Sequence, residues 1–143
     1  MKRNWARLVC ILLMLCMCST YVFAADNENE GGIMPRYTYV AEIIMGFDIA
    51  GDGKSYCSTG VTLHSNSYTC TLEMTLQRYE DGDWEDVKTW STSGGQDVDI
   101  EKFWYVVSGY EYRTSNVVRV YNTNGHLVET VTVESHTVDY NSN

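Results

Sequence analysis

"CTLEMTLQRYEDGDWEDVKTW", residues 70–90, is two strands joined by a tight turn, and it places two tryptophans, a tyrosine and six acidic residues in twenty-one positions. Asp81-Gly82 is the kind of two-residue loop that β-hairpins favour. With that loop, positions whose numbers sum to 163 face each other, so Tyr79 stands opposite Trp84, Arg78 opposite Glu85 and Leu76 opposite Val87. An aromatic pair and an opposite-charge pair each contribute roughly 0.2–1 kcal/mol across an antiparallel ladder. Cys70, Leu72, Met74 and Leu76 share one parity and point to a core. Tyr79, Trp84 and Trp90 then fall together on the other face, beside Gln77, Asp86, Thr75, Lys88 and Glu73. Three aromatics among polar side chains form a candidate binding face, and the same residues also suit a plain sheet surface.

The same period of two continues on both sides of the hairpin. Tyr37, Tyr39, Ala41, Ile43, Met45, Phe47 and Ile49 occupy the odd positions of the first strand, with Gly46 as its expected kink. Cys57, Thr59, Val61 and Leu63 alternate in the next. "AGDGK", "HSNSY", "STSGGQ" and "NTNG" are the turns, and later strands are expected at "DVDI", over residues 110–121 and over residues 126–138. No helix is needed. About seven strands at this spacing predict an all-β, single antiparallel β-sandwich over residues 36–143.

Ahead of that domain, Lys2, Arg3 and Arg7 precede the apolar run "LVCILLMLCMC", and Val22 and Ala24 occupy the positions of an A-x-A-like cleavage site. Residues 1–24 therefore read as a secretory signal peptide cleaved after Ala24, and residues 25–35 as a polar lead-in. The run is shorter than the ~20 apolar residues a membrane span needs. Cys10, Cys16 and Cys18 lie within it, but Leu15 and Met17 stand where a lipoprotein signal requires a small residue. The expectation is a secreted, extracellular protein with no stable membrane anchor after cleavage.

Three of the ten basic residues leave with the leader and none of the nineteen acids does, so the remaining 119 residues hold seven basic against nineteen acidic side chains, a net −12. Such a surface repels phosphate backbones and argues against nucleic acid as a partner. Two cysteines stay, Cys57 and Cys70, both on the inward parity of their strands. An even pair in an exported chain predicts a disulfide, which over so short a loop would stabilise by about 3 kcal/mol. His64, His126 and His136 have no ligand spacing to either thiol.

"VSGYEYRTSNVVRVYNTNG" resembles the penultimate strand and following turn of fibronectin type III and immunoglobulin-like domains, in which a tyrosine near the strand start closes a corner. Tyr110 or Tyr112 fits that role. With twelve residues between the cysteines, an antibody-type bridge between sheets is excluded. The layout also resembles a family of small, functionally uncharacterised proteins exported by Gram-positive bacteria, through the "GGIMPRYTY" opening at residues 31–39, "MTLQRYEDG" at 74–82 and "SGYEYR" at 108–113. That resemblance implies export and an all-β domain and brings no catalytic residues.

Chemistry-bearing motifs are sparse. The chain has no G-x-S-x-G elbow, no H-E-x-x-H pair and no phosphate-cradling glycine loop. Asp81, Asp83, Glu85 and Asp86 suggest a cation loop, yet an EF-hand would need glycine and glutamate where Asp86 and Thr92 stand. Asp97 and Asp99, neighbours of one parity, fit a solvated strand face better than a glycosidase pair. The sequence thus points to a non-catalytic module, with no cofactor and no metal, that binds an extracellular glycan or protein surface. The second class is a small secreted effector, bacteriocin-like or toxin-like, acting on neighbouring cells.

Overall fold

In the computed structural model, residues 37–141 are described; the signal peptide at 1–24 and the lead-in at 25–35 lie outside the described residues. Alternating side chains build every long element: β1 (Val40–Ile49), β2 (Lys54–Leu63), β3 (Thr69–Glu80), β4 (Asp83–Gly94), β5 (Asp97–Tyr105), β6 (Tyr110–Tyr121), β7 (Leu127–Glu134) and β8 (Val138–Tyr140). All are strands, and all pair antiparallel. One sheet has the order β1-β2-β5; the other has β4-β3-β6-β7, with β8 also beside β6. The chain crosses from β4 back to β2's sheet through β5, which gives the Greek-key connectivity of an immunoglobulin-like sandwich. Eight strands appear rather than seven because residues 135–137 break the last one, leaving β7 and β8 both against β6.

The core lies between the sheets. Leu72, Met74 and Leu76 from β3 and Val118 and Val120 from β6 are fully buried, facing Val61 and Leu63 from β2. Within this layer Thr59 donates a 2.7 Å hydrogen bond to Asn116 Oδ1, and the Asn116 amide donates to Thr114 Oγ1 at 3.4 Å. The corner tyrosine is Tyr112. Its hydroxyl donates to the Val107 carbonyl at 2.7 Å while the ring is buried, and Tyr110 lies half-exposed beside it. Burial raises the Tyr112 phenol above its ordinary pKa, so it stays a donor.

Two details of β1 differ from the sequence expectation. Its irregularity falls between Val40 and Glu42, not at Gly46. Gly46 instead permits a close approach, because a Cβ there would stand 2.6 Å from Ser58 Oγ. The start of β1 is fastened from afar: the Glu129 carboxylate on β7 accepts the backbone N–H groups of Thr38, Tyr39 and Val40 at 2.8, 3.0 and 3.2 Å.

The expected disulfide is overturned. Cys57 and Cys70 are separate, buried thiols on opposite sheets. The contact of Thr59 Oγ1 with Met74 Sδ at 3.6 Å sets residues 59 and 74 at one level of the sandwich. Counting along the two strands, Cys70 is level with Leu63, so it stands six residues' rise, about 20 Å, from the level of Cys57. A bridge requires Cα atoms within about 7 Å. Parity places both thiols inward without fixing where along the strands they stand.

Tyr112→Phe should lower stability by about 1 kcal/mol, read as a lower urea midpoint at unchanged slope, because the Val107 carbonyl loses its donor. Both thiols should resist alkylation in the native state and react once urea is added, with intact mass showing no bridge. Burial pushes the Cys57 thiol up from 9.0 to about 11. The unfolded thiol therefore ionises first, and stability that is full below pH 9 falls on the way to about pH 11 by at most ~1.4 kcal/mol per pH unit. Cys57→Ala should flatten that alkaline decline in urea titrations.

Candidate binding face

The β3-β4 hairpin turns as its residues dictate: Asp81 and Gly82 adopt φ of +54° and +97°, the left-handed pair a two-residue loop requires. Next to the turn the expected register holds, with Tyr79 opposite Trp84, Arg78 opposite Glu85 and Gln77 opposite Asp86. It then shifts. Leu76 faces Lys88 instead of Val87, and Met74 faces Trp90. Val87 is the extra residue of a β-bulge, and one extra residue transfers everything beyond it to the other face of the strand.

The three candidate aromatics are thereby divided. Tyr79 and Trp84 remain together on the outer face of the larger sheet, ring centroids 5.2 Å apart, with Tyr79 41% exposed. Trp90 lies on the Met74 side, half-buried against the core, and meets Trp104 of β5 at 6.2 Å, with Lys88 Nζ 5.0 Å from the Trp104 ring. It closes the open side of the sandwich between β4 and β5.

Sequence reasoning missed two residues that complete the outer face, Arg113 and Glu134. Arg113 of β6 pairs with Gln77 across the sheet, and its guanidinium lies 4.2 Å from the Trp84 ring centroid. Arg113 Nε donates to Gln77 Oε1 at 3.0 Å, Gln77 Nε2 donates to Asp86 Oδ1 at 2.9 Å, and Arg113 Nη1 pairs with Glu134 at 3.0 Å. The row Asp86-Gln77-Arg113-Glu134 crosses four strands, β4, β3, β6 and β7. Below it Thr75 and Thr89 share a hydroxyl contact of 3.0 Å. Arg113 has the outward parity of β6, next to buried Tyr112, but only the strand order brings it beside the hairpin.

This is an open, preorganised strip rather than a pocket. The guanidinium, amide and carboxylates hold one another in fixed orientation, and charge-assisted bonds of this kind are directional. Tyr79 supplies exposed ring surface next to them, and the Trp84 ring touches both Tyr79 and the Arg113 guanidinium. No family model matches the chain, and no curated protein matches it.

Deleting Val87 should remove the bulge while keeping Tyr79 opposite Trp84 and Trp90 opposite Met74, so the tryptophan emission of the folded protein should show no shift to the red; a red shift would mean that the pairing beyond the bulge depends on Val87.

Proposed function

We propose that the chain is a secreted, non-catalytic binding module whose outer face at Tyr79, Trp84, Arg113, Gln77 and Asp86 recognises an extracellular glycan. The single observation that supports this most is the hydrogen-bonded row across four strands set beside an exposed tyrosine. A sugar ring offers an apolar C–H face and a rim of hydroxyls. The Tyr79 ring suits the first, and the paired carboxylate, amide and guanidinium suit the second without reorganising. Secretion rests on the leader at residues 1–24 and the strongly acidic remainder. Trp90 belongs to the fold in this reading.

Tyr79→Ala and Arg113→Leu should each weaken binding of the mature protein to its best ligand on a glycan array by about 1 kcal/mol or more, while thermal midpoints move little for Tyr79→Ala. Trp90→Ala should chiefly destabilise the fold. Undiminished glycan binding by both face variants would sink the proposal. Growth inhibition of neighbouring cells by the intact protein, with no glycan bound, would favour the effector class.

A further inference from the structure

The opposite outer face, on β1-β2-β5, is built on different chemistry. Its rows, read across β1, β2 and β5, are Glu42-Thr62-Asp97, Ile44-Gly60-Asp99, Gly46-Ser58-Glu101 and Asp48-Tyr56-Phe103. Gly60 leaves nothing within 4 Å of where a Cβ would stand, so a trough of about 150 Å³ opens over the middle strand, with Ile44 and Asp99 on its sides. Ile44 is 63% exposed, which makes one wall apolar. Asp97, Asp99 and Glu101 line the other rim at two-residue intervals. At one end Phe103 and Tyr105 are exposed, and Tyr56 meets Phe103 at 5.4 Å.

Charge on this face is one-sided. Lys54, with its Nζ 4.4 Å from the Phe103 ring centroid, is the face's own cation. Among the described residues, none of the ion pairs involves Glu42, Asp48, Asp97, Asp99 or Glu101. We propose that this face docks an extended, lysine- or arginine-bearing segment of a protein partner, laid along β2 in the trough over Gly60. The spacing favours a peptide. Carboxylates on one strand face recur every two residues, about 6.8 Å, which is also the repeat of side chains on one edge of an extended chain. The trough is one strand wide, about 10 Å between its flanking rows, so backbone fills it while cationic side chains reach the rim. Exposed aromatic faces at the end take a further cation.

The test is fluorescence anisotropy of labelled octalysine with the mature protein at about 0.15 M salt. The wild type should bind, octaglutamate should not, and the pair Asp99→Asn/Glu101→Gln should weaken binding about tenfold or more. Gly60→Val, which fills the trough without changing charge and suits a strand, should weaken it comparably. Asp83→Asn/Glu85→Gln removes the same charge from the other sheet and should stay within about threefold of wild type. An equal loss in that charge-matched control would overturn the proposal by showing diffuse attraction alone. So would unchanged binding in Gly60→Val, absence of octalysine binding, or chitosan oligomers binding this face more tightly than the peptide.

Discussion

The hydroxyl of Thr59 and the amide of Asn116 meet at 2.7 Å in the middle of the sandwich, in a mostly apolar layer that also holds the Thr114 hydroxyl and two methionine sulfurs. Both residues are shut off from solvent, so removing one would cost the other its 2.7 Å partner, a loss of about 1–3 kcal/mol for a buried polar atom. Apolar packing tolerates a slide of one sheet over the other. A directional bond between β2 and β6 does not, and the weaker contacts of Thr59 with Met74 and of Asn116 with Met45 bring β3 and β1 into the same cluster. The levels of all inward side chains follow, including the distance that keeps Cys57 and Cys70 apart.

With the sheets locked, their outer faces are free to differ. The larger sheet pairs cations with its own carboxylates: Arg113 is shared between Gln77 and Glu134, and Arg119 approaches Glu73 at 3.9 Å. The smaller sheet sets five outward carboxylates against one cation, Lys54, and puts glycine where a side chain would level the surface. One face is thus organised by internal pairing, and the other leaves most of its charge unpaired among the described residues.

Local patterns were legible where neighbours in sequence decide the outcome. Alternation gave the strands, Asp81-Gly82 gave the turn, and the first four pairs of the hairpin followed from it. Val87 hid from that reading, because a bulge preserves composition and merely changes which face each later residue takes. Trp90 went to the wrong face for that reason alone. The cysteine pairing failed on the component of position that period two does not encode, the height along the strand. Tyr112 was told from Tyr110 only when the Val107 carbonyl came within reach of its hydroxyl. Arg113 required the knowledge that β6 lies beside β3, a contact between residues 36 apart.

The grip of Glu129 on the first strand has a bearing on the order in which the fold closes. Its carboxylate takes three consecutive N–H groups from residues some ninety positions earlier. Closing a loop of that length is slow relative to forming hairpins, so the opening of β1 is secured after the β3-β4 unit exists. A chain delivered from its N-terminus keeps that segment unfastened until nearly the whole domain has arrived. The N-terminal end of the first strand is therefore latched late, and the latch is carried by β7, an edge strand of the other sheet.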